Sequence, residues 1–296
     1  DRWIMAGGKP LLPIKPREDS IWPEKLTAQF TDVEIGIART RAAYRDWESV
    51  DEIETLFLDH IARARRFIYA ESQYFASRTI AEAIAKRMQE DDPPEIVIVH
   101  PANADGWLEQ QAMDHARAQL VRSIEEADRG GRFSIWSPYR EDVPIYVHAK
   151  IMIVDDEILR IGSANLNNRS LGLDTECDVF IDSTRAGNAG AAEAIRGLRV
   201  SLLAEHCGVE ESEMSALLER HAGMAAAIDH TMKDPTRRLK RYHPPELDGL
   251  DKTLAESQLL DPEDSEDLFE PFAKGGLFRK GSRLARLKDK FRRSRK

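Results

Sequence analysis

Six residues stand at fixed spacing in one stretch of this 296-residue chain: His148, Lys150, Asp155, Gly162, Ser163 and Asn165. An imidazole titrates near neutrality, so His148 can act as a nucleophile or carry a proton. Lys150 brings a compact positive charge suited to phosphate oxygens. Gly162 lets backbone approach a ligand closely, and Ser163 and Asn165 offer neutral hydrogen-bond donors. Together they could hold a five-coordinate phosphorus without a metal, because preorganised donors stabilise the charge that develops on it. Glu176, further on, could orient His148 through its second ring nitrogen and so fix the tautomer. Asp155 is counted with this set, although bracing the turn and the lysine suits its position better than touching substrate.

For these side chains to meet, particular elements must position them. The spacing predicts a strand over 145–154 (IYVHAKIMIV), which turns His148 and Lys150 to the same face. Residues 158–162 are expected to pair with it as a hairpin across Asp155, Asp156 and Glu157. A polar loop, 163–176, then leads to a strand over 177–182. Upstream, 32–41 reads as an edge strand, and Ile53, Leu56, Phe57, Ile61 and Ala64 recur at helical spacing over 51–66. A strand at 66–70, a helix at 79–90 stopped by Pro93 and Pro94, a buried strand at 95–100, a helix at 107–128 and a strand at 132–136 follow. Strands alternating with helices predict an α/β fold, a mixed sheet flanked by helices on both faces. Helices over 188–206, 210–221 and 222–232 read as a packing extension, and the acidic stretch 244–271 as a flexible linker.

The run from His148 to Asn165 resembles the HKD signature, HxKxxxxDxxxxxxGSxN, of the phospholipase D superfamily. The segment IMIVDDEILRIGSANLNNRS, with Asp174, Thr175 and Glu176 after it, is similar to the second motif of eukaryotic-type phospholipases D and their bacterial relatives. IYAESQYF at 68–75 resembles that group's IYIENQFF, with Ser72 where Asn is usual. The resemblance covers roughly residues 30–185, and with the pattern and charge along the chain it divides the sequence into four stretches: an irregular lead-in over 1–30, a phospholipase D-like domain over 31–185, a helical extension over 186–243, and an acidic linker with a basic tail over 244–296. It further implies hydrolysis of glycerophospholipid diesters through a phosphohistidine, which water or an alcohol can resolve. No ligand cluster in the sequence implies a metal, and no cofactor is expected. By the same resemblance Glu71, Gln73 and Tyr74 line the site, or else serve as ordinary core and rim residues.

In the superfamily two such motifs face each other, one histidine attacking phosphorus and the other protonating the leaving group. Here the histidines at 60, 100, 115, 206, 221, 230 and 243 lack a lysine two residues later. The chain is therefore expected either to pair with a second copy or to be the second half of a longer enzyme. Its abrupt start at Asp1 favours the latter. By resemblance, a second-repeat histidine is more often the general acid. Trp107 follows the strand at 95–100, where α/β folds place ligand loops. It could stack on a choline-like cation or an acyl chain, or pack on the core as a helix-start aromatic.

Charge separates the chain into two parts. The net charge is −9, yet residues 274–296 carry eleven Lys or Arg against Asp289 alone, a net of +10, so the remainder stands at −19. An acidic body is a poor nucleic-acid surface, since neutralising phosphates dominates such affinity. That disfavours a nuclease of the same superfamily as the alternative enzyme. Leu277, Leu284, Leu287 and Phe291 fall on one helical face among basic residues, which suits residues 275–296 to an anionic membrane surface. A non-catalytic membrane-binding or scaffold half is the alternative outside the enzymes. Cys177 and Cys207 match no metal or redox spacing and read as free thiols of a reducing compartment. No apolar run of about 18 residues and no signal-peptide pattern occur, so a cytoplasmic, peripherally membrane-associated protein is expected.

Overall fold

The computed structural model describes residues 2–5, 7–13, 15, 22–23, 25–44, 46–102, 107–221, 223–231 and 236–245, apart from the side chains of 2, 5 and 107–116. The expected linker and basic tail beyond residue 245 lie outside the described residues, as does the side chain of Trp107.

A helical turn, α1 (Arg2–Met5), precedes a sequence of ten strands and six longer helices among the described residues. In chain order these are β1 (Gly36–Arg41), β2 (Val50–Asp51), α2 (Glu52–Arg63), β3 (Phe67–Glu71), α3 (Arg78–Met88), β4 (Glu95–Val99) and α4 (Trp107–Ala127). Next come β5 (Phe133–Arg140), β6 (Val143–Pro144), β7 (Ile151–Val154), β8 (Ile158–Gly162), β9 (Glu176–Asp182), α5 (Ala191–Cys207), α6 (Glu211–Arg220), α7 (Met224–Thr231) and β10 (Arg237–Arg241). The strands form one mixed sheet in the order β10-β5-β4-β3-β7-β8-β9-β1-β2, with β6 paired to β5. Among the described strand pairs, β3–β4 and β4–β5 are parallel, each joined through a helix, and the rest are antiparallel. The α/β class expected from the alternation is what the chain adopts.

Strand alternation divides the core in two. Ile68, Ala70, Ile96, Ile98, Met152, Val154 and Ile158 face Ile53, Phe57 and Ile61 of α2, Ile80 and Ile84 of α3, and Ile124 of α4. Tyr69, Val97, Val99, Ile153 and Leu159 point the other way, towards Ile195 and Leu203 of α5, Met214 of α6 and Ile228 of α7. Each such aliphatic or aromatic side chain contributes about 2 kcal/mol when fully buried. The helices over 186–231 thus cover the same sheet that carries the motif, and β10 joins its edge.

Two expected elements change. The strand through the motif is shorter than 145–154: the ladder begins at Ile151, and His148 and Lys150 lie in the extended segment that leads into it. Val147 is buried on the α5 side of the sheet while His148 is exposed, so the alternation still separates the two neighbours. β10 (RRLKR) carries no apolar pattern beyond Leu239. It is an edge strand, where Lys and Arg are favoured because they block further pairing.

Candidate active site

The site forms where three antiparallel neighbours, β7, β8 and β9, end together. The Gly162 amide donates to the Lys150 carbonyl at 3.2 Å, and Gly162 lies opposite Asp178 in the β8–β9 register. Lys150, Gly162 and Asp178 thereby stand side by side across the sheet. Lys150 is only 9% exposed. Its ammonium donates to the His148 carbonyl at 2.8 Å and to Gln73 Oε1 at 3.3 Å. Burial holds the Lys150 pKa below its usual 10.5, with Glu176 pulling it up and Arg160 adding to the depression.

Gln73 sits just past the end of β3, reaching from below. Its amide nitrogen donates to the hydroxyls of Tyr146, at 2.7 Å, and Tyr74, at 3.1 Å. Asn165 is buried and its Oδ1 accepts from the Gln73 backbone N–H at 3.1 Å and from Ser72 Oγ at 3.4 Å. Its side-chain nitrogen has no hydrogen-bond partner among the described residues. Ser72 stitches the same corner: its hydroxyl also lies 2.7 Å from the Tyr74 carbonyl and 3.1 Å from the Leu166 amide, which donates to it.

The loop after β8 wraps a carboxylate. Asp178 Oδ1 accepts from the amides of Ser163 at 3.0 Å and Ala164 at 3.2 Å. Its Oδ2 accepts from Arg160 Nε at 2.8 Å and from Arg160 Nη2. A Cβ on Gly162 would lie 1.8 Å from Asp178 Oδ1, so only glycine fits there. The close approach expected of Gly162 is thus made to a protein carboxylate. Ser163 donates its hydroxyl to Glu176 Oε2 and accepts from the Cys177 amide at 3.1 Å.

Among the expected site residues, Lys150, Gln73, Gly162, Ser163, Asn165 and Glu176 come together at one end of the sheet, beside the exposed His148. The described partner of Glu176 is Ser163, not His148 as the sequence suggested. Two expectations are corrected. Asp155 follows the opposite end of β7, where its carboxylate accepts from the amides of Arg65, Arg66 and Phe67 at 2.7 to 2.8 Å. It braces the β7–β8 turn against the start of β3 and does not reach the lysine. Glu71 points to the α5 face: its Oε1 accepts from Tyr69 Oη at 2.6 Å and lies 3.1 Å from His206 Nε2. The even step from Tyr69 to Glu71 puts both on that face, away from Lys150. Arg169 is held by an ion pair to Asp174 at 2.7 Å, across a π-helical turn in what read as a plain loop.

Sequence reasoning missed Arg160, Asp178 and Tyr146. Arg160 had a legible signal, a charged residue at an inward position of an otherwise apolar strand. Asp178 and Tyr146 look like ordinary polar positions until the register is known.

Comparison with known proteins follows the same lines. A family model described as "Cardiolipin synthase, PLD-like domain" matches residues 57–196. Phospholipase D zeta 1 of Arabidopsis thaliana is 28% identical over 240 residues, covering 62% of this chain and 22% of that protein. Residues 57–196 thus carry a domain of the phospholipase D superfamily. Another superfamily relative, phospholipase D C of Dictyostelium discoideum, is 26% identical over 229 residues, covering 64% of this chain and 14% of that protein. The chain thus spans about a fifth or less of the length of these two curated relatives. Among solved structures, phosphatidylserine synthase of Haemophilus influenzae is similar at 15% identity and a TM-score of 0.43, covering 67% of this chain and 47% of that one.

Proposed function

We propose that this chain is one half of a phospholipase D-type phosphodiesterase acting on glycerophospholipids, with the second half supplied by another HKD motif. The observation that carries this reading is the pairing of a buried lysine ammonium with an exposed imidazole two residues away. Among the described residues the ammonium has two protein acceptors, the His148 carbonyl and Gln73 Oε1, although it carries three N–H donors. A phosphate oxygen would fill that vacancy and neutralise the charge.

In the proposed reaction an imidazole nitrogen attacks phosphorus and the bond from phosphorus to the headgroup oxygen breaks. The departing alkoxide takes a proton from the other histidine. Water, or an alcohol, then attacks phosphorus, gives its proton to that same histidine and releases the first. Hydrolysis yields phosphatidic acid, and an alcohol acceptor gives headgroup exchange. Lys150 and the Asn165 amide nitrogen stabilise the charge on the phosphoryl oxygens. Ser163, which already donates to Glu176, contributes less than the sequence implied. One histidine cannot be nucleophile and acid at once, so a second must enter from a second copy or from another half. By resemblance His148 serves as the acid when the halves differ, and in both roles when two copies pair.

The test is turnover of a simple phosphodiester and of phosphatidylcholine vesicles by the purified chain over a range of concentrations, beside His148→Ala. Specific activity that rises with concentration and vanishes in the variant supports assembly of two copies. Turnover that survives His148→Ala would overturn the reading.

We further propose that residues 275–296 bring this half to an anionic lipid surface, on the strength of their apolar stripe and net basic charge.

A further inference from the structure

We propose that Arg160 and Asp178 form a positioning pair that holds the loop from Gly162 to Asn165 in its phosphate-binding shape, an inference that rests on the reading of this end of the sheet as a phosphodiesterase half-site. Neither residue touches His148 or Lys150 among the described contacts. Both are almost fully enclosed, at 2% and 0% exposure. A buried ion pair in a sheet is a weak source of stability, because desolvating two charges offsets much of their attraction. An apolar pair of similar volume would hold β8 against β9 as well. The charges need another explanation, and the hydrogen bonds left over from the ion pair supply it.

Those bonds all go to the loop. Asp178 Oδ1 takes both the Ser163 and the Ala164 amide. Arg160 Nη2 donates to the Ala164 carbonyl at 2.8 Å. The Arg160 guanidinium lies 4.4 Å over the Phe57 ring, which fixes its plane from α2. The backbone polar groups of Ser163 and Ala164 are therefore tied down one residue before Asn165. Asn165 is tied in turn through its Oδ1 to the Gln73 backbone N–H. Amides that a loop of this kind could turn towards phosphate are already spent on Asp178. Phosphate recognition then falls to side chains, whose aim depends on the loop being held. A displacement of about 1 Å at such a site costs on the order of 10²-fold in rate.

The test compares the full chain with Asp178→Asn and with the double variant Arg160→Gln, Asp178→Asn. An asparagine keeps an oxygen for the loop amides but turns N–H donors towards the guanidinium, so the pair is broken. Glutamine at 160 restores a neutral acceptor. Hydrogen exchange at the Ser163 and Ala164 amides reads the loop, exchange in β3 and β4 reads the fold, and kcat and KM read the site. Asp178→Asn is expected to speed exchange at the two loop amides while β3 and β4 keep their protection, and to lower kcat on the order of 10²-fold with KM little changed. The double variant should recover much of both. Unchanged exchange at Ser163 and Ala164 would overturn the inference, and so would an unchanged kcat per folded molecule. An absence of turnover in the unaltered chain in every format would instead count against the proposed function, while loop exchange would still decide whether the pair holds the loop.

Discussion

Lys150 has to stay charged where burial opposes charge. Its function fails once the proton is lost, and the depressed pKa brings that loss below the usual 10.5. Binding of inorganic phosphate or a phosphodiester, followed by calorimetry, should therefore fall as pH rises, with a midpoint lower than that of an exposed lysine. Lys150→Ala should abolish the binding at every pH. His60 shows the opposite arithmetic. Burial, helped by Arg63 and Arg160, drives its pKa to about 4, with Asp182 opposing. The folded state keeps the ring neutral while the unfolded state takes up a proton below 6.5. Stability is thus lost as pH falls from 6.5 towards 4, by up to about 3 kcal/mol. Urea midpoints measured across that window should drop for the unaltered chain and stay flatter for His60→Phe. At this scale the sequence exposed the residues whose types are chemically distinctive: His148, Lys150 and Asn165. Asp178 escaped, because its role depends on a register partner sixteen positions upstream, Gly162.

Among the elements, the turn between β7 and β8 shows how a motif residue can be structural. Asp155 and Asp156 both adopt left-handed backbone, with φ of 56° and 59°, which Asp tolerates better than most residues. The Asp155 carboxylate then gathers three successive amides that lead into β3. Asp155→Ala leaves those donors without their charged acceptor and should cost about 3 kcal/mol, seen as a lower thermal midpoint. Whatever activity the assembled enzyme shows should persist per folded molecule. Had the aspartate joined the chemistry, kcat would collapse instead. The helices were legible because their apolar residues repeat at 3.6, and α2, α3 and α4 fall within a few residues of the expected bounds. β10 was not, since four of its five residues are basic and only pairing with β5 makes it a strand.

On the scale of the whole molecule, a long acidic sequence and a short basic one share a chain. No helix among the described residues is long and apolar enough to cross a membrane. The proposed lipid contact lies in the basic stretch. Deleting residues 272–296 should abolish co-sedimentation with vesicles containing anionic lipid and leave the thermal midpoint of the sheet domain unchanged. Raising the salt should weaken binding of the full chain in parallel, since screening acts on surface charge. Binding that survives the deletion would place the contact elsewhere.

The missing Cβ at position 162 sets how closely β8 can lie against β9. Gly162→Ala would drive a methyl group into the Asp178 carboxylate, so a selection for active variants would reject it in the native background. Shortening residue 178 would not open the space, because the Asp178 Cα itself would lie 2.6 Å from the new methyl. No second-site suppressor should therefore emerge at 178 while the β8–β9 register is kept. The demand for glycine in the motif is written into the backbone of the neighbouring strand.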